Sequence, residues 1–428
     1  MSGAEPTGSR SLSLAILEVP FRVDFGPGLS DEDVARIRGS WRSCAAPDTA
    51  DARPVSADLT GTDLTGTVLA GADLTGADPV GADRPEAQTP GVRVRAGTVE
   101  QLEESLTSVL TLEAIGERRA DLLMLHACGI AAEDGRVLAF VAASGTGKTT
   151  ASRVLGARFG YVTDETVAVT PAGGVLPYPK PLSVKPATGS APKAQLSPVA
   201  LGLRPVPPAP LVLAGVVLLD RRDGVGEPRL EEVDPVEAID ELVPQTSYLS
   251  ARPRGISGLV RTLVSVGGAK RLVYSEAEGV LDLVDGLLAA PPAPAPAIWQ
   301  DVVALPIAAE GPVSGSLRRA EVDDAILLPG GEVLVFRENT VIRLAGIGPA
   351  IWRSTGAGTE LPALVAAVLA ELGGPPEGMD AAAAVSAAVD ELEGLGVITR
   401  AAPLQPTPEG VHAQPGAKRA RYTGVQQF

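Results

Sequence analysis

The sequence predicts two folded parts: an α/β domain built on a phosphate-binding loop, with a mixed sheet and flanking helices, and a small α+β module of three strands and three helices. Three observations predict this. The apolar run from Val137 to Val141 enters Ala142-Ala143-Ser144-Gly145-Thr146-Gly147 and then Lys148-Thr149-Thr150, the strand, glycine-rich loop and helix start of a phosphate loop. Residues 289–296, Ala-Ala-Pro-Pro-Ala-Pro-Ala-Pro, read as a stiff polyproline linker. Beyond the linker, strand-like runs give way to helical periodicity.

Composition bounds the rest. A chain of 428 residues allows about two to three domains. Apolar residues are 45% of the chain but aromatics only 3%, so its cores are expected to be Ala, Val and Leu. Gly 48 and Pro 38 imply long loops or linkers. A net charge of −16 offers no basic field to displace counterions, which argues against a nucleic-acid partner. Cys44 and Cys128 form neither a disulfide framework nor a CxxC metal site. The start of the chain lacks the basic and apolar regions of a signal peptide. No apolar run approaches the ~18 residues that cross a bilayer. The expectation is a soluble, cytoplasmic protein with no membrane partner.

Residues 1–47 are expected to be an N-terminal lobe. A strand-like run from Leu12 to Val23 breaks at Pro20, and a helix opened by Ser30, with Asp31 and Glu32 in its first turn, runs to Trp41. Over 48–92 the composition changes. Asp58-Leu59-Thr60-Gly61-Thr62 and its successors repeat every five residues, a period resembling pentapeptide repeats, which wind into a square β-solenoid. Only about four clean copies are present, too few to bury their leucines in stacked coils, so a flexible low-complexity insert is expected.

The catalytic part is expected over 93–288. It opens with a helix at 99–116, a strand at 122–130, a turn at Glu133-Asp134-Gly135 and the loop strand 136–141. The loop helix covers 148–159, a strand 160–163, the acid pair Asp164-Glu165 follows, then a strand at 167–170. Residues 177–208, rich in Pro and including Lys180, Lys185, Lys193 and Arg204, are expected to be irregular and partly mobile. A strand at 211–220, helices at 234–243 and 256–265, a strand at 271–274 and a helix at 276–288 complete it. The linker is 289–298 and the module 299–400. Its strands fall at 325–328, 332–337 and 341–344, and Thr359 is the expected N-cap of its second helix. Val385, Val389 and Leu392 share one face of the third, and 401–428 is expected to be disordered.

In a phosphate loop, backbone N–H groups and a helix N-terminus cradle the polyphosphate. Here those groups belong to Ser144, Gly145, Thr146, Gly147, Lys148, Thr149 and Thr150; Lys148 reaches the terminal phosphates and Thr149 ligates Mg²⁺. The first glycine of the usual pattern is Ala142, while Gly145, Gly147 and Lys148 are intact. His126, one of two histidines, lies on the strand expected beside the loop strand. Asp164-Glu165 ends the next strand, where metal and general-base carboxylates belong. A buried structural histidine and a solvated acidic turn are the plainer readings of these groups.

Leu125-His126-Ala127, the loop from Ala143 to Thr149, and Gly160-Tyr161-Val162-Thr163-Asp164-Glu165 resemble the catalytic domain of HPr kinase/phosphorylase. More closely, they resemble its relatives in peptide natural-product clusters, some of which phosphorylate serine in a precursor peptide. Pro177-Tyr178-Pro179-Lys180-Pro181-Leu182-Ser183 resembles their proline-rich segment. The resemblance covers roughly 120–288. It implies the HPr-kinase type of α/β fold, with ATP and Mg²⁺ as cofactors. It makes His126, Asp164 and Glu165 the catalytic set, Thr149, Asp164 and Glu165 the metal ligands, and Lys185 a candidate contact to the triphosphate. The family's second carboxylate is usually Asp, so the division of roles between Asp164 and Glu165 is open.

The module resembles the PqqD-like peptide recognition element, a small winged helix. The resemblance rests on Leu334-Val335-Phe336, Val341-Ile342-Arg343-Leu344, Ile347-Gly348-Pro349-Ala350-Ile351-Trp352 and Leu392-Glu393-Gly394-Leu395-Gly396-Val397-Ile398. It implies that a leader peptide adds as a strand at Val341, Ile342, Arg343 and Leu344. For Val385, Val389 and Leu392, core is the safer reading. The resulting expectation is an ATP-dependent kinase acting on a Ser or Thr hydroxyl of a ribosomally made precursor peptide, alongside other modifying enzymes of its cluster. The alternative is a non-catalytic, ATP-gated chaperone that presents the leader to another enzyme.

Overall fold

The computed structural model describes residues 10–60, 91–143, 147–184, 192–290, 293–307 and 315–400. Most of the expected insert (61–90), the loop residues Ser144, Gly145 and Thr146, Lys185 and the tail from 401 lie outside them. The chain divides into two compact units: Met1–Arg252 with Thr262–Pro296, and Pro253–Arg261 with Ala297–Phe428.

In the first unit, Ser11–Ile16 and Val19–Phe25 form an antiparallel hairpin. Its turn is Leu17-Glu18, with φ of 49° and 63°. The strand-like run therefore breaks here and not at Pro20, which sits inside the second strand opposite Ala15. Left-handed two-residue turns are signalled by Asn and Gly, and neither is present; full burial of the Leu17 side chain holds the turn instead. The helix Asp31–Trp41 starts on the expected cap: Ser30 accepts from the Asp33 amide, and Asp33 accepts from that of Ser30.

Arg53–Leu59 pairs in parallel with Val19–Phe25, and Val92–Ala96 pairs in parallel with Arg53–Leu59. Arg53–Leu59 falls inside the stretch read as an insert, which corrects that boundary. Its two-residue alternation, Val55 and Ala57 buried between exposed Pro54 and Ser56, is masked in the sequence by the five-residue period that begins there. The helix Val99–Glu117 covers this sheet with Leu102, Leu106 and Leu110 fully buried against Phe21, Trp41 and Val55.

The central sheet has nine strands. In order they are Arg229–Glu232, Ala269–Tyr274, Val212–Arg221, Arg136–Val141, Leu123–Ala131, Thr166–Val169 and Val175–Leu176, while Gly160–Thr163 and Thr246–Ser247 also pair with Leu123–Ala131. The loop strand Arg136–Val141 is parallel to Val212–Arg221 and antiparallel to Leu123–Ala131, so the sheet is mixed. Every residue from Val137 to Val141 is buried, as a strand covered on both faces requires. The loop helix Lys148–Arg158 and the closing helix Leu281–Ala289 pack on it through Ala151, Leu155, Val284 and Leu288. The expected helix at 276–288 begins as a 3₁₀ turn, Ala277–Val280.

The proline-rich segment is not irregular throughout. Leu182–Val184 pairs with Ala194–Leu196, and Tyr178 and Lys180 are buried. Alternate prolines erase any hydrophobic period there, which is why the sequence gives no strand signal.

In the second unit, Val303–Ala304, Asp324–Leu327, Val333–Arg337 and Thr340–Leu344 form an antiparallel sheet in that order. A separate pair joins Leu317–Arg319 to Ile398–Arg400. Three helices, Gly348–Ser354, Leu361–Leu372 and Ala381–Gly394, close a core around Trp352, Leu364, Val385 and Val389. Thr359 is not the cap of the second helix. It exchanges backbone hydrogen bonds with Leu317, at 2.9 Å each way, and Glu360 takes the cap position without a side-chain bond. Asp324, fully buried, accepts from the Ser257 amide (2.6 Å) and hydroxyl (2.9 Å) and pairs with Arg254 Nε (3.1 Å).

Candidate active site

The loop strand ends at Val141, and the helix begins after Gly147, whose φ of 99° is a conformation that favours glycine. Lys148 is buried on this first turn. Its ammonium donates to the carbonyls of Ala142 and Ala143, the latter at 3.1 Å. Burial pulls its pKa below the usual lysine value. Thr149 is half-buried beside it, and Thr150 is exposed.

On the antiparallel neighbour, His126 is half-buried opposite Thr166. Burial first, then the charge of Lys148, lowers its pKa, while Glu165 acts in the opposite sense. The ring is therefore held neutral at neutral pH.

The acid pair forms the turn between Gly160–Thr163 and Thr166–Val169. The Thr163 hydroxyl accepts from the amides of Glu165 (3.2 Å) and Thr166 (3.3 Å). The Glu165 carbonyl accepts from the Ala127 amide at 3.0 Å, which ties the turn to the strand of His126. Asp164 is buried. Burial raises its pKa, and Lys180 opposes that rise.

The group that sequence reasoning missed is Lys180. It is 1% exposed, and its ammonium lies 3.0 Å from Asp164 Oδ1 and 3.1 Å from Glu165 Oε2. Burial opposes its charge, but the two carboxylates prevail and raise its pKa. Tyr161, also missed, donates its hydroxyl to Asp164 Oδ1 at 3.1 Å. The sequence signal for Lys180 is faint: a lone lysine between Pro179 and Pro181 inside an apolar stretch.

Lys148, His126, Asp164, Glu165 and Lys180 are thus brought within electrostatic reach of one another. Magnesium takes hard oxygen ligands. Lys180 engages one oxygen of each carboxylate; the Thr149 hydroxyl and the remaining carboxylate oxygens of Asp164 and Glu165 are donors of that hard type. Ser144, Gly145, Thr146 and Lys185 lie outside the described residues.

In the second unit, Thr340–Leu344 is the last strand of its sheet. Val341 and Ile342 are half-buried, Arg343 is exposed and paired with Glu332, and Leu344 is in the core. Val385, Val389 and Leu392 are core as well.

A family model of pentapeptide repeats matches residues 55–83, with eight copies, more than the clean copies a strict spacing rule finds. The matched stretch begins inside the strand Arg53–Leu59. No curated protein matches the chain. Among the described residues, no helix is long and apolar enough to cross a membrane.

Proposed function

We propose that the chain is an ATP-dependent kinase that phosphorylates a Ser or Thr hydroxyl of a ribosomally made precursor peptide, with the leader captured on the edge strand Thr340–Leu344. The observation that carries this reading is the meeting of His126, Lys148 and Asp164-Glu165 beside the strand that ends at Val141 and the helix that starts at Lys148. When bound, Mg²⁺ neutralises phosphate charge. Lys148 and the helix N-terminus hold the donor phosphates. His126, kept neutral, accepts the proton of the attacking hydroxyl, and the more exposed Glu165 orients that hydroxyl. Asp164, locked by Lys180 and Tyr161, is the anchor of the pair. The cytoplasm suits Cys44 and Cys128, both free, buried and with thiol pKa values pushed up to about 12 by burial.

Joining a leader-binding module to a phosphotransfer site through a proline-rich linker raises the local concentration of the core peptide to the order of mM. The test mixes the full chain, Mg·ATP and the peptide encoded beside its gene, and reads a gain of about 80 daltons. Loss of the gain in Lys148→Ala supports the reading. ATP and leader binding without any gain overturns catalysis and leaves the chaperone.

A further inference from the structure

In that chemistry Lys180 does no more than hold Asp164. Its ammonium carries three hydrogens, and three oxygens surround it: Asp164 Oδ1 at 3.0 Å, Glu165 Oε2 at 3.1 Å and the Pro181 carbonyl at 3.1 Å. Its backbone is fixed as well. The Lys180 amide donates to the Tyr178 carbonyl (2.8 Å), the Tyr178 amide donates to Val162 (3.0 Å), and the Tyr161 hydroxyl reaches the Lys180 carbonyl at 3.4 Å. Pro179 and Pro181 lock their own φ on either side. A lysine held this way does not swing toward a phosphate; it is a stationary charge.

Two neighbouring carboxylates converging on one point make an arrangement that elsewhere holds a divalent cation. Here an ammonium stands at that point. Among the described residues, no three His, Cys, Asp or Glu gather into a metal-binding group.

We propose that Lys180 is a built-in cation, a positioning residue that takes the place of a second divalent ion between Asp164 and Glu165. The site then takes one Mg²⁺, the ion that arrives with the triphosphate. The count with nucleotide rests on the phosphotransfer reading; the state without nucleotide does not. A covalently supplied cation shapes the acid pair before any ligand arrives and is not lost when magnesium is scarce.

The test counts Mn²⁺ on the full chain by electron paramagnetic resonance, without nucleotide and with a non-hydrolysable ATP analogue. The wild type should hold no tight ion alone and one with the analogue. Lys180→Ala should bind Mn²⁺ without nucleotide at least tenfold more tightly than the wild type, and its Tm should rise with Mg²⁺ where that of the wild type does not. Lys180→Arg, which keeps the charge, should behave as the wild type. Two ions on the wild type with the analogue, a tight ion on the wild type alone, or no gain in Lys180→Ala each overturn the proposal. If Lys180→Ala does not fold, the wild-type counts still decide. A chain that fails to bind the analogue sinks the phosphotransfer reading and leaves the nucleotide-free comparison intact.

Discussion

In the proposed mechanism His126 accepts a proton only while its ring is neutral, the form that burial together with Lys148 favours. His126→Asn should lower phosphoryl transfer by about 10²–10⁴-fold with ATP affinity kept, as read by single-turnover kinetics and nucleotide titration. The acid limb of the wild-type profile should lie below the ordinary histidine value. Glu103 offers a separate test. It is buried, Arg36 lies 3.3 Å from Oε2, and Oε1 has no hydrogen-bond partner. Burial, opposed by Arg36, raises its pKa. A carboxyl raised on folding contributes stability below its unfolded value, near 4.5, that is lost as pH rises through the folded value. Glu103→Gln should therefore gain Tm relative to the wild type between pH 4 and 7.5; an unchanged difference across that range refutes the assignment. The strand Arg136–Val141, Gly147 and the helix start at Lys148 were legible because their order follows a fixed spacing. Lys180 and Tyr161 were not, because each acts through a partner brought close only by folding.

Elements with an unbroken period were read within a residue or two. Asp31–Trp41, Val99–Glu117, Arg136–Val141 and Lys148–Arg158 each bury one face or both, and that pattern is written in the residues. The failures occurred where two patterns overlap, as at Arg53–Leu59, or where turn geometry lacks its usual residues, as at Leu17-Glu18. The module has the same left-handed geometry at Glu338-Asn339, with φ of 49° and 63°, though there Asn339 supplies one of the usual residues. Glu338 is exposed there, and its side chain makes a surface pair with Arg337 at 3.0 Å. Glu338→Gly should relieve the left-handed strain and stabilise the chain by about 0.5–1 kcal/mol, checked by denaturant melts. A loss of stability would place the pair with Arg337 above the strain.

At the scale of the molecule, the second unit is discontinuous. Pro253–Arg261 precedes the strand Ala269–Tyr274 of the central sheet yet belongs with Ala297–Phe428. Asp324 joins the pieces by accepting from both donors of Ser257 while paired with Arg254, which itself sits at φ 58°. Asp324→Ala leaves those donors and part of the Arg254 charge unmatched and should cost on the order of 3 kcal/mol, read by calorimetry. A chain ending at 296 should melt below the lowest transition of the full protein, because Ile256, Ser257 and Leu259, all buried, lose their own unit. An equal melting temperature would refute this. For gene evolution, this means the proline run is not a clean joint. Recombination there hands over a module without its opening segment, so exchanging this unit between chains of this architecture requires two exchanges in register, or an incoming partner already matched to Arg254 and Ser257.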